Sequence, residues 1–307
     1  MAEYLIQDTT LTGIADAIRE RNKTTDEIAV ADMPAKIKEL PPGMLDTSTV
    51  TNWKGWFRNS ERTDTIPYID TSNGVFFDEM FQNATAIKFP NGKFPLEKLN
   101  TSRGVSFSYM FSDSLRLSEV SPVFDTSNGE DFSYMFYRCL SLEKAPLLNT
   151  SKGVSFQYMY AGCSSLKDGG VIDMTSPYNA SGDDMIAKYM FTGCTKLEKL
   201  KIKVNGITST SLMYAFYLNT PTDTFTDFEV ETTTDENGVT HGIKIDSNNL
   251  SFASHNNLSI ESLLSVLNAL EDNTGEETMY NVYLGAGLGK LTSEQKQIAY
   301  RKNINLK

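Results

Sequence analysis

The sequence predicts an α/β solenoid in which a short strand and a short helix recur with a step near 24 residues. Three observations predict it. A polar turn recurs along the chain, an aromatic–methionine block follows each turn, and a branched aliphatic residue stands at a constant offset behind each block. A unit this small cannot bury its own apolar face, so neighbouring copies must stack and share one core.

The turn comes first. Its copies are Asp46-Thr47-Ser48, Asp70-Thr71-Ser72, Asn100-Thr101-Ser102, Asp125-Thr126-Ser127 and Asn149-Thr150-Ser151, at steps of 24, 30, 25 and 24, with a looser copy at Asp173. Ser, Thr and Asn suit helix entry, because their side-chain oxygens can accept from free backbone N–H groups.

The block follows. Its copies are Phe77–Phe81, Phe107–Phe111, Phe132–Phe136 and Phe156–Tyr160, continued by Tyr189-Met190-Phe191. Trp53–Phe57 reads as a first copy and Tyr214-Ala215-Phe216 as a degenerate last one. With each Met as zero, Phe stands at −3, an aromatic residue at +1, and a small residue at +4: Ala84, Ser114, Cys139, Cys163 and Cys194. On a helix these offsets share one face, which must be buried. Position −1 then points outward and carries Tyr109, Tyr134, Tyr158 and Tyr189. Stacked coils align these four as an aromatic ladder. Such a ladder suits a carbohydrate or protein partner, although plain packing between repeats is the simpler reading.

The strand closes the unit. Ile87, Leu117, Leu142, Leu166 and Leu197 stand at +7, and three copies continue as L-x-x-L-x-L-type strands: Leu117 to Val120, Leu142 to Leu147 and Leu197 to Ile202. Strand plus short helix is the leucine-rich-repeat unit. Glu143, Lys144, Glu198, Lys199 and Lys201 alternate with the inward residues as a solvated face.

The pattern from Asp125 to Leu142 and from Asn149 to Leu166 resembles the BspA-like leucine-rich repeats of bacterial surface proteins, which implies a right-handed array over about residues 44–220. The ends read differently. Leu11, Ile14, Ala15 and Ile18 make an amphipathic stripe, and Pro41-Pro42-Gly43 marks a boundary. Leu11–Glu20 and Ile28–Met33 resemble the start of tail or baseplate proteins of phages from Gram-positive gut bacteria, although a solenoid cap explains the stripe equally. Beyond 222, Phe228–Val230 and Ile243–Ile245 flank a hairpin turn at Asp235–Gly238. A helix opens at Ser259, a strand covers 279–284, and Thr292 with Gln295 forms a capping box. Leu291–Lys296 and the final Asn-Ile-Asn-Leu resemble C-terminal units of phage-tail-like proteins, with an α+β cap as the simpler reading. The expected organisation is therefore an N-terminal helical attachment or cap segment at 1–42, a solenoid at 43–222 and a cap at 223–307.

Composition narrows the function classes. A net charge of −11 without a dense basic run argues against nucleic acid and anionic membranes. No stretch has the length of a membrane span, and the start lacks the pattern of a secretory signal. Three cysteines without a C-x-x-C read as free thiols in a small buried slot. His241 and His255 read as ordinary surface residues, Asp183-Asp184 as a solvated loop, and Gly285–Gly289 lacks the context of a phosphate loop. No catalytic residues, cofactor or metal site are expected. The expectation is a non-enzymatic binder of a bacterial surface protein or glycan, carried on a phage tail and contacting other tail or baseplate proteins through its N-terminal segment. Analogy with tail fibres implies a homotrimer. A bacterial cell-surface adhesin is the alternative, and a surface-glycan-cleaving enzyme the third reading.

Overall fold

In the computed structural model, the described residues are 47–59, 69–84, 93–94, 99–120, 124–176, 186–217, 224–246, 250–252, 255 and 257–307. The expected N-terminal helices, Ile87 and Asp183-Asp184 lie outside them. The strands are β1 (Lys93–Phe94), β2 (Glu119–Val120), β3 (Asp168–Met174), β4 (Lys199–Val204), β5 (Ile207–Thr208), β6 (Asp227–Thr234), β7 (Thr240–His241), β8 (Ile243–Lys244), β9 (Leu250–Ser251), β10 (Tyr280–Tyr283) and β11 (Ile304–Leu306). Helix α1 (Ile260–Ala269) precedes β10, and α2 (Ser293–Tyr300) precedes β11.

The chain winds as a β-solenoid. Single parallel bridges link coil to coil through Asn52, Phe76, Ser106, Asp131 and Ser155. A second row, after the +7 leucines, starts at the Lys144–Asp168 bridge and widens into a parallel sheet, with Ile172 opposite Ile202 and Ile202 opposite Val230. Equivalent side chains meet in columns. Phe77, Phe107, Phe132 and Phe156 stack at centroid spacings of 5.6, 5.9 and 5.6 Å. A second column runs Phe57, Phe81, Phe111, Phe136, Tyr160, Phe191 at 5.3–5.6 Å. The methionines at zero and the leucines at +7 complete the buried spine.

The aromatic–methionine block is not the helix that its spacing predicts. Its N–H groups at −3, −1, +1 and +3 donate to carbonyls of the next coil, as in Phe107→Asp131, Tyr109→Ser133, Phe111→Met135 and Asp113→Tyr137 (2.7–2.9 Å). The N–H groups between them close local turns, such as Met110→Phe107. Positions −1 and +3 adopt left-handed backbone, as Tyr134 and Arg138 do at φ +55° and +56°. Conformation thus repeats every four residues. A helix repeats every 3.6, so −3, 0, +1 and +4 are buried by either geometry, and hydrophobic spacing alone cannot separate the two.

Turn threonines also do something other than cap helices. Thr101 Oγ1 donates to the Asp125 carbonyl of the next coil at 2.8 Å, and Thr47, Thr71, Thr126 and Thr150 repeat the contact at 2.9–3.1 Å. The same hydroxyls accept from the next coil's N–H at Asp70, Asn100 and Asp173. The five threonines are buried and form a hydroxyl ladder.

The strand of the Leu142 coil turns out before its expected end: Leu142 and Ala145 are buried, but Leu147 is 70% exposed. Likewise the hairpin is shorter than its flanks suggested. β6 pairs antiparallel with β7 through Thr233–His241 and Thr234–Thr240, while Ile243 leaves the hairpin to pair parallel with β5.

β6 is the last parallel strand of the long sheet, with β7 covering only its far end. Its N–H groups at Phe228 and Val230 would seek a further strand; instead they donate to Ser262 Oγ and Ser265 Oγ of α1, both at 2.8 Å. A helix thereby blunts an open edge. Ser259 caps α1, and Lys302 Nζ donates to the Leu267, Asn268 and Leu270 carbonyls at its other end. The expected Thr292–Gln295 capping box opens α2. Replacing Ser262 and Ser265 together by Ala leaves two N–H groups unpaired and costs ~1–3 kcal/mol for each buried one. Urea denaturation checks this, and an unchanged midpoint would show that water replaces both serines.

Candidate functional site

Stacking of the coils brings Tyr109, Tyr134, Tyr158 and Tyr189 into one column, as the spacing predicted. Their centroids are 4.4, 4.7 and 4.9 Å apart, with interplanar angles of 5°, 15° and 26°. Tyr214 joins as a fifth rung, 5.1 Å from Tyr189 at 7°. It was legible in the degenerate copy Tyr214-Ala215-Phe216, but that block lacks its Met and so was not read as part of the ladder. Tyr137 and Tyr217 stand edge-on to the column, Tyr137 against Tyr134 and Tyr158, and Tyr217 against Tyr214.

Every rung has left-handed backbone, φ between +54° and +58°. That conformation costs roughly 1–2 kcal/mol for a residue with a Cβ, and Gly or Asn relieves it. The other left-handed slot of the block, +3, shows the usual solution: Asn59, Asn83, Asp113, Gly162 and Gly193, with Arg138 as the exception. Offset ring pairs return about 0.5–1.5 kcal/mol each. Stacking therefore about cancels the strain and leaves no clear net gain for the fold.

Because the inner rings cover one another's faces, the column presents ring edges and hydroxyls, not flat platforms. Partial burial raises the Tyr109, Tyr134 and Tyr158 phenols above their ordinary value, and the Tyr109 and Tyr134 hydroxyls hydrogen-bond to each other. Tyr214, at the end of the stack, is 52% exposed. Below Tyr109 the slot passes to Glu79, which pairs with Lys54 and Arg58 at 3.4 and 2.5 Å. Lys188 Nζ lies 5.4 Å from the Tyr189 ring centre. The residue before each rung is Ser108, Ser133, Gln157, Lys188 or Met213, so four of the five sequence neighbours carry hydrogen-bonding side chains.

The cysteine slot is structural. Cys139, Cys163 and Cys194 are buried free thiols whose Sγ donates to the carbonyls of Phe111, Phe136 and Tyr160 at 3.0–3.2 Å. Ser114 makes the same bond to Phe81. Burial pushes the Cys163 thiol up to about 12, and the other two well above their usual range. A raised folded-state value leaves stability intact below about pH 9, where thiols are protonated in both states, and removes it between there and 12, where only the unfolded chain ionises. Cys163→Ala should flatten the loss of stability between pH 9 and 11 by up to ~1.4 kcal/mol per pH unit, measured as urea midpoints against wild type. Parallel curves would mean the thiol ionises inside the fold.

His241 lies on the surface, 3.4 Å from Asp235. His255 does not, contrary to the surface reading. It is 2% exposed, hydrogen-bonded to the Phe216 carbonyl at 2.6 Å and packed against Phe225 and Phe252. Its polar sequence neighbours hid an inward-facing side chain. Gly285–Lys290 forms a short 3-10 helix. Among the described residues, no three His, Cys, Asp or Glu side chains converge as metal ligands, and no helix is long and apolar enough to cross a membrane.

A family model described as "Mycoplasma protein of unknown function, DUF285" matches residues 30–146 and, overlapping them, 88–174. No curated protein and no solved structure matches the chain. The two matches take in the coils of Tyr109, Tyr134 and Tyr158 and end before those of Tyr189 and Tyr214. The chain is a repeat protein, similar to the DUF285 family over residues 30–174.

Proposed function

We propose that this chain is a non-catalytic binding protein that applies its tyrosine column to a bacterial surface, as a receptor-binding component of a phage tail or related particle. The observation that carries the binding reading is the set of five stacked left-handed tyrosines, whose backbone strain the stacking only offsets, with no clear net gain for the fold. Strain retained at a repeated, half-buried surface position is a mark of function. The tail assignment rests on the resemblance of residues 11–33 and 291–306 to phage tail proteins, and assembly with other tail proteins falls to the N-terminal segment. A homotrimer is the accompanying assembly.

The family match favours a second reading, a cell-surface adhesin with the same binding face. Gold-labelled antibody against the chain separates the two: label on tail particles supports the first, and label on the producing cell's envelope supports the second. For the face itself, Tyr134→Ala with Tyr158→Ala should reduce attachment of the purified protein to host cells about tenfold or more, as loss of central aromatic anchors does. Circular dichroism should stay native. Attachment equal to wild type would remove the column from the binding surface. Release of reducing ends from cell-wall glycan by the purified chain would reject the non-catalytic reading.

A further inference from the structure

Taking the tyrosine column as the binding face, we infer that its ligand is an extended β-1,4-linked glycan lying along the solenoid axis, one sugar ring opposite each tyrosine-bearing coil. Three features of the column point to this polymer.

The first is the step. Successive rungs are 4.4, 4.7, 4.9 and 5.1 Å apart. An extended peptide advances by ~3.2–3.4 Å per residue and falls out of register with the rungs within two coils. A β-1,4-linked pyranose chain advances by nearly the rung spacing per ring and turns each ring over relative to the last, so equivalent contacts recur at every second coil.

The second is the chemistry of what projects. Four rungs expose edges and hydroxyls, and a phenol O–H both donates and accepts. Sugar hydroxyls do the same, so the rungs can pair with rings of the polymer, Tyr109 and Tyr134 acting as a hydrogen-bonded pair with donor and acceptor capacity left over. Ser108, Ser133 and Gln157, each next in sequence to a rung and half-buried, add hydrogen-bonding groups on the same coils. An amphipathic helix needs an apolar groove for anchors at i, i+3 and i+4, and polar flanks do not supply one.

The third is the end of the column. Tyr214 is half exposed, with Tyr217 edge-on to it at 6.2 Å and 71°. Together they form an aromatic corner able to receive the apolar C–H face of a terminal sugar, a contact the covered faces of the inner rungs cannot make.

Calorimetric titration of the full chain with β-1,4-linked N-acetylglucosamine and glucose oligomers, from dimer to hexamer, tests the inference. Affinity is expected to climb with length in at least one series and to level off once the column is filled, while α-1,4-linked glucose oligomers, whose chain curls, do not bind. The N-acetyl and plain series distinguish which sugar the polar strip prefers. Tyr134→Phe with Tyr158→Phe keeps the stack and removes two hydroxyls; it should weaken the best oligomer about tenfold or more with an unchanged melting temperature. Absence of binding in both β-linked series, affinity independent of length, or equal binding of the α-linked series overturns the inference. If the alanine pair abolishes cell attachment while no oligomer binds, the ligand is a surface protein: the glycan inference falls and the binding face stands. If that pair attaches normally, the binding face itself falls.

Discussion

Phe132→Ala is expected to cost about 3–5 kcal/mol, the range for truncating a fully buried phenylalanine. The ring is fully buried and stacked between Phe107 and Phe156 at 5.9 and 5.6 Å. Its loss removes contacts to two coils at once, because each coil has no core apart from the one it shares. The neighbouring backbones cannot close the gap: Phe132 N–H donates to Ser155 O and Phe107 N–H to Asp131 O, and these bonds hold the coil spacing. The measurement is urea denaturation followed by far- and near-ultraviolet dichroism. A fall in midpoint with two resolved transitions would show the array parting at the Phe132 coil, whereas one lowered transition would show it unfolding as a unit. A change below about 1 kcal/mol would contradict the shared spine.

Gly153→Ala is the second large effect, and its cause is crowding. Gly74, Gly104, Gly129 and Gly153 each stand where a Cβ would strike the phenylalanine three residues ahead, at 2.4, 2.4, 2.4 and 2.2 Å from its ring. Gly153 is the tightest, with the Phe156 ring at 2.2 and 2.8 Å and the Thr150 carbonyl at 2.9 Å. The ring cannot retreat, since Phe132 stacks on it, and the carbonyl accepts the Gly153 N–H at 2.8 Å. Relief therefore requires a shift of backbone or of the aromatic column, for which ~1–3 kcal/mol is typical. The substitution should be much milder in a Phe156→Leu background, where the offending ring atoms are gone. A double-mutant cycle reads this as a coupling of the same order. Additive effects would place the cost in the turn itself and not in the ring.

These two cases show what kind of information the repeat carries. Aligned copies disclosed which side chains are buried: Phe at −3, Met at zero, the aromatic residue at +1, the small residue at +4 and Leu at +7 all lie in the spine. The ladder of Tyr109, Tyr134, Tyr158 and Tyr189 was legible on the same basis. So were the Ser259 cap and the Thr292 capping box, because they depend on neighbours in sequence. Conformation within the block was not, because a four-residue period buries the same offsets as a helix. Asn, Asp and Gly at +3 were the available signal, since those residues tolerate left-handed backbone.

By itself, then, the sequence determined that this protein repeats, at what step, and which residues must face inward, because stacking identical units turns a one-dimensional pattern directly into columns. Only the tertiary structure decided how each block hydrogen-bonds, that Thr101 and its equivalents bridge coils, that His255 points inward, and that Ile243 abandons its hairpin for β5. Each of those outcomes depends on a partner more than twenty residues away: the next coil's carbonyl, the Phe216 backbone, or the β5 edge. Local spacing names such a group as a donor or acceptor, and the winding of the chain chooses its mate.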